Sequence, residues 1–167
     1  MVFSLGSNKA PGPDGMSAHF FKFYWNIMGG EVTEVITSFL RMGYLLKEIS
    51  HSFISLIPKG NNANSVKQFR PISLYNVLYK VISKLLTNRL KQALNKLISP
   101  RQTTFILGRK IQENTFLAQE ILHAMKKKKD KTCWMALKID MEKAYDCLEW
   151  GFIEKVLHYF EFLDTWI

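Results

Sequence analysis

Three groups of residues in this sequence have types and spacings that could do chemistry. Asp140 closes an alternating segment, Thr132 to Asp140, and is followed by Met141, Glu142, Lys143, Ala144, Tyr145 and Asp146. A carboxylate at the end of a buried strand can hold a divalent metal, and magnesium takes oxygen ligands from one or two carboxylates plus substrate phosphates. The same position also suits a turn or a helix N-cap, and Glu142 and Asp146 equally suit the exposed first turn of a helix. Lys59 and Arg70 form the second group. If the loop between them folds as a hairpin, a planar guanidinium and a compact ammonium would face one triphosphate. Two solvated cations would satisfy the spacing as well.

The third group is a charge block. No Asp or Glu occurs between Ile49 and Gln112, whereas eleven Lys and Arg do, against a whole-chain net charge of +9. The rest of the chain is slightly acidic. A block this one-sided repels itself unless an anion lies against it, and nucleic acid or nucleotide phosphate is the natural partner. A basic surface kept for solubility is the competing reading.

These groups need elements to position them. The opening Lys9-Ala10-Pro11-Gly12-Pro13-Asp14-Gly15 is turn chemistry. A helix follows on Phe20, Phe23, Tyr24 and Ile27, with Gly29-Gly30 predicted to end it. Val32, Val35, Ile36, Phe39 and Leu40 then mark one face of a second helix. Ser52 to Pro58 reads as a strand halted by its proline, and Lys59 to Lys67 as an exposed loop. Apolar residues from Leu74 to Ile98 keep the helical period, and Lys80, Lys84, Lys91 and Lys96 lie off that face. Further helices are predicted from Ile111 to Met125 and from about Trp150. Thr132 to Asp140 alternates as a strand. The fold class is α+β, mainly helical. With 47% hydrophobic residues, wholesale disorder is excluded. Cys133 and Cys147 have no zinc or disulfide spacing. No apolar run reaches the roughly 20 residues of a membrane span, and no leader is evident, so an intracellular setting, nucleus or cytoplasm, is expected.

Taken in order, the blocks KAPGPDG (Lys9 to Gly15), ISLIPK (Ile54 to Lys59), FRPISLYNVLYKVISKLLTNRL (Phe69 to Leu90), LISPRQTTFILGRKIQEN (Leu97 to Asn114) and LKIDMEKAYDCLEW (Leu137 to Trp150) resemble the reverse transcriptases of non-LTR retrotransposons of the LINE type, especially those of plants. The resemblance covers nearly the whole chain. It implies a partial reverse transcriptase domain: fingers over about 1–131 and the first palm strand of a right-hand polymerase over about 132–167. The resemblance makes Asp140 the catalytic metal ligand for Mg2+, with the Met141 carbonyl beside it and Tyr145 beneath the incoming sugar. Lys59 and Arg70 would grip the incoming deoxynucleoside triphosphate. Gly12 to Gly15 and Gln102 to Arg109 would line the path of an RNA template and DNA primer. The charge block itself, with Lys80, Lys84 and Lys91 off the apolar face of the long helix, predicts further phosphate contacts at those lysines.

Departures accompany the matches. The family's downstream Y-x-D-D block does not occur in these 167 residues. Glu113 and Thr104 stand where an aspartate and a small residue are usual. One carboxylate cannot hold two metals, so the expectation is an RNA-directed DNA polymerase fragment without activity of its own, with a palm strand that lacks partners. The alternative is a non-catalytic remnant that binds nucleic acid.

Overall fold

The computed structural model describes residues 1–128, 134–140 and 147–167. Its elements are α1 (Ala18–Phe23), α2 (Trp25–Met42), α3 (Lys47–Ser50), β1 (Ser52–Pro58), β2 (Phe69–Tyr75), α4 (Val77–Leu97), α5 (Ile111–Lys127) and α6 (Trp150–Tyr159). Short 3-10 turns occupy Val2–Ser4 and Val66–Gln68. The chain divides into two units, Met1–Leu90 and Lys91–Ile167.

The core of the first unit gathers Val2, Ala18, Phe21, Val32, Val77 and Val81, with Leu5, Phe20, Trp25, Met28, Ile36 and Leu78 packed against it. Ser17 caps α1, its hydroxyl accepting from Phe20 N at 3.3 Å. The break between α1 and α2 falls at Tyr24, not at Gly29-Gly30, and α2 runs straight through both glycines. The buried Gly29 serves packing, because a Cβ there would come within 2.9 Å of the Trp25 indole. Burying Val32 one turn later offsets the helix cost of about 0.5–1 kcal/mol per glycine. The true stop is Gly43, at φ +68 and ψ 4, whose N–H bonds Phe39 O at 2.8 Å. This left-handed geometry is the usual glycine end of a helix.

β1 and β2 form an antiparallel hairpin with Ser52 opposite Tyr75 and Pro58 opposite Phe69. β1 has the bounds its sequence predicts. β2 takes residues that sequence periodicity leaves unassigned, and it ends the helical reading at Leu74 and Tyr75; α4 starts only at Val77. Pairing decided this: a strand next to β1 satisfies backbone groups that an isolated first helical turn could not. Tyr75 and Tyr79 stack across the junction, ring centroids 4.3 Å apart.

The second unit is thinly packed. Thr103 and Ile106 are its buried residues among those described. α5 leaves Phe116, Leu117, Ile121 and Leu122 exposed, and α6 leaves Trp150 and Phe152 exposed. The strand predicted from Thr132 to Asp140 is not formed over its described part, 134–140, which has no regular structure. Trp134, Met135, Leu137 and Ile139 are exposed there. Alternation makes a strand only when a neighbour completes the ladder, and β1 and β2 pair with each other. Thr132 and Cys133 lie outside the described residues. The fold is thus mainly helical with a two-stranded sheet.

The N-terminal turn is fastened to this frame by Asn76, which is 5% exposed. Its Oδ1 accepts from Asp14 N at 3.2 Å and its Nδ2 donates to Glu48 O at 2.9 Å. Gly12 lies so close that any Cβ would collide with Asn76 N and Oδ1. Gly12→Ala should therefore destabilise the chain by about 1–3 kcal/mol. Gly60→Ala, which would meet nothing within 4 Å, should stay within about 0.5 kcal/mol. Urea denaturation followed by circular dichroism measures both, and equal midpoints for the two variants would refute the close contact.

Candidate nucleotide and nucleic-acid interface

Within the first unit the hairpin positions Lys59 and Arg70. Arg70 lies opposite Ile57. Lys59 follows β1 directly, and its N–H bonds Gln68 O at 2.8 Å, so the ladder's alternation carries it to the Arg70 face. Diagonal neighbours of this kind sit about 7–8 Å apart, close enough for two long side chains to meet one ligand. Lys59 Nζ bonds Lys67 O at 2.8 Å, while Arg70 is exposed. The loop is shaped by Gln68, whose Oε1 accepts from Asn64 N at 2.6 Å and Ser65 N at 3.1 Å. Beside it lies an open hollow of about 720 Å3 lined by Pro58, Lys59, Gly60, Asn61, Ala63 and Phe69.

The lysines of α4 are not all free ends. Lys80 Nζ donates to Ala10 O and Lys84 Nζ to Ser4 O, each at 2.8 Å. Lys22 Nζ reaches Leu5 O at 2.6 Å and Ser7 Oγ at 3.0 Å. Three ammonium groups thus hold the first ten residues against α1 and α4. The sequence showed Lys80 and Lys84 off the apolar face; it gave no sign that they reach main-chain carbonyls. Lys91 is half-buried.

In the second unit Arg109 does similar work. Its Nη1 donates to Ser99 O and to Gln102 O at 2.7 Å, and its Nη2 to Ile98 O at 3.0 Å and Asn95 O at 3.4 Å. One planar guanidinium satisfies the orphan carbonyls at the end of α4 and the loop beyond. Asn114 Nδ2 adds bonds to Arg101 O at 2.8 Å and Thr103 Oγ1 at 3.1 Å. Gln102 is exposed and its N–H closes the turn to Ser99 O at 3.0 Å.

Asp140 is exposed. Among the described residues no three His, Cys, Asp or Glu side chains converge as a metal site. The described donor set therefore does not fit a pair of magnesium ions. Met141 and Tyr145, together with Glu142 and Asp146, lie outside the described residues. Lys59 and Arg70 belong to one unit and Asp140 to the other.

Residues 57–167 match the family described as reverse transcriptase (RNA-dependent DNA polymerase). The chain belongs to that family. The stretch begins inside β1 and takes in both Lys59 and Arg70, α4, the Arg109 loop and Asp140. Over 155 residues the chain is 32% identical to the transposon TX1 uncharacterized 149 kDa protein of Xenopus laevis, covering 93% of this chain and 12% of that protein. It is 28% identical over 140 residues to the Pol polyprotein of the type-1 retrotransposable element R2 of Nasonia vitripennis, and 28% over 141 residues to that of the type-2 element R2DM of Drosophila melanogaster. Each of these matches covers 84% of this chain and 13% of the relative. This reverse transcriptase sequence thus spans about an eighth of the length of these relatives.

Sequence reasoning missed Asn76 and the clamp made by Arg109. The buried setting of Asn76 left no sign in the sequence, because the helical period read from Leu74 runs straight over it. Replacing Arg109 by Ala should loosen the end of α4 by about 1 kcal/mol, a charge-assisted set discounted for exposure. Hydrogen exchange at Ile98 and Gln102 should quicken several-fold. Arg109→Lys should fail to restore it, since a single ammonium cannot span these carbonyls.

Proposed function

We propose that this chain supplies the fingers and the opening of the palm of an RNA-directed DNA polymerase of a non-LTR retrotransposon, of the LINE type found in plants. The hairpin grips the triphosphate of an incoming deoxynucleotide with Lys59 and Arg70. The basic segment from Ile49 to Gln112 lies along an RNA template and DNA primer, with Lys91, Gln102 and the exposed faces of Lys80 and Lys84 near phosphate. Asp140 is the first metal carboxylate, the Met141 carbonyl its neighbour, and Tyr145 the ring beneath the sugar. With further carboxylates beside it, Asp140 would help hold magnesium, which would supply charge neutralisation at the transferring phosphoryl group. The observation that carries the reading is the hairpin itself, which sets Lys59 and Arg70 on one face within the stretch shared with the family. Among the described residues no helix is long and apolar enough to cross a membrane.

Three measurements test this reading. Titration with a deoxynucleoside triphosphate should shift the amide resonances of Lys59, Gly60 and Arg70, and the double variant Lys59→Ala/Arg70→Ala should abolish the shifts. Unchanged shifts in the double variant would remove the hairpin from the site.

The isolated chain should not extend a primer on an RNA template. Magnesium-dependent extension that disappears in Asp140→Ala would overturn the claim that one carboxylate is too few.

Nucleic acid should bind with little sequence preference, since phosphate contacts carry no sequence information. Affinity should fall by ~0.7–0.9 log units per phosphate contact for each log unit of salt. Charge reversal of Lys91, Lys96 and Lys110 probes this cleanly. Reversing Lys80 and Lys84 would also break their bonds to Ala10 and Ser4, so lost binding there would be confounded with a loosened N-terminus. A Lys91/Lys96/Lys110 reversal that stays folded and binds RNA as tightly as the parent at moderate salt would refute the basic interface.

A further inference from the structure

The loop after α4 spends backbone strain to display an aromatic ring. Phe105 sits at φ +65, in the left-handed region that bulky side chains avoid. Its side chain is 78% exposed, as is 68% of Leu107, while Thr103 and Ile106 on either side are buried. Exposure returns no hydrophobic energy for the strain, so the surroundings must impose it. They do so densely. Arg109 ties together the carbonyls of Asn95, Ile98, Ser99 and Gln102. Asn114 ties Arg101 O and Thr103 Oγ1 from the first turns of α5. Gly108, at φ +83, completes the turn. A phenylalanine held this way differs from one left exposed on a mobile tip, because its main chain is fixed on both sides.

The setting narrows what the ring meets. Arg101 and Lys110, in the same loop, are exposed, and no carboxylate occurs between Ile49 and Gln112. A flat π-face among unopposed cations suits an anionic polymer that also carries flat apolar rings. Bases of a duplex are stacked on one another, whereas those of a single strand are open to an aromatic side chain. We infer that Phe105 is a base-stacking platform for single-stranded nucleic acid, with Arg101 and Lys110 contacting the flanking phosphates. This rests on the nucleic-acid partner proposed above and assigns that partner a specific contact in the chain.

The test uses the full chain and a short single-stranded RNA carrying one fluorescent base analogue. Phe105→Gly removes the ring and relieves the positive φ. It should raise the melting temperature or leave it unchanged, and weaken RNA binding at least five-fold, as expected for losing one base–aromatic stack. The slope of affinity against salt should stay the same, because no phosphate contact is lost. Phe105→Trp should keep the affinity and show indole quenching on binding. A ring that only stabilises the loop would give the opposite pattern, a lower melting temperature with unchanged affinity in Phe105→Gly. Tight RNA binding by that variant, or absence of quenching in Phe105→Trp, overturns the stacking role and leaves a protein-covered ring as the explanation. If the parent chain binds no RNA at all, both this inference and the reading beneath it fail.

Discussion

Asn76 is the point through which the first unit is tied together. It occupies the single residue between β2 and α4, is nearly inaccessible to water, and uses both ends of its amide. The carbonyl end holds Asp14 N of the N-terminal turn, and the amino end holds Glu48 O of α3. A buried amide leaves little room for alternatives, since an unpaired donor or acceptor there costs about 1–3 kcal/mol. Three segments distant in sequence must therefore meet at the base of the hairpin. That fixes where β2 ends and α4 begins, and so where Arg70 lies along the strand. The close approach of Gly12 follows from the same geometry, because the turn can reach Asn76 only if nothing projects from that residue.

Cations perform a second kind of fastening. Lys22, Lys80 and Lys84 each give their ammonium to a main-chain carbonyl of the N-terminal segment, and Arg109 gives its fork to the end of α4. In a segment without carboxylates, backbone oxygens are the acceptors left to positive side chains. Positive charge then serves two ends at once: it closes orphan carbonyls and keeps the field of the segment attractive to phosphate. Among the described residues His158 Nδ1 lies 3.5 Å from Asp164 Oδ1, well away from this stretch in sequence. Internal carbonyl bonds leave the net charge intact, whereas ion pairs would cancel it.

The sequence made the helices legible wherever an apolar stripe kept the helical period, as in α2 and α4, where it meets a core, and in α5, where it stays exposed. β1 was legible to its last residue because Pro58 marks its end. Gly29 misled, since periodicity cannot tell a glycine that stops a helix from one that admits a neighbouring indole. β2 was hidden for a related reason. Phe69 to Tyr75 contains a proline and no clean alternation, and only the pairing with β1 makes it a strand. Of the candidate site, the charge block and the spacing of Lys59 and Arg70 could be read directly. The partners of Lys80, Lys84 and Arg109 could not, because a hydrogen bond to a main-chain oxygen leaves no signature in the residue type of the acceptor.

The contrast between 52–58 and 134–140 shows what alternation alone is worth. Both segments carry β-branched or aromatic residues and both end beside a residue with candidate chemistry, Lys59 in one and Asp140 in the other. Residues 52–58 become a strand because Phe69–Tyr75 supplies a ladder, and they do so although Phe53, Ile54 and Leu56 remain exposed. Residues 134–140 have comparable side chains and no ladder among the described residues. Backbone pairing, not side-chain burial, is therefore what separates them. In the role of metal ligand proposed for it, Asp140 would need main-chain bonds that fix its Cα, and a ladder like the one Phe69–Tyr75 gives to residues 52–58 is the way a strand supplies them.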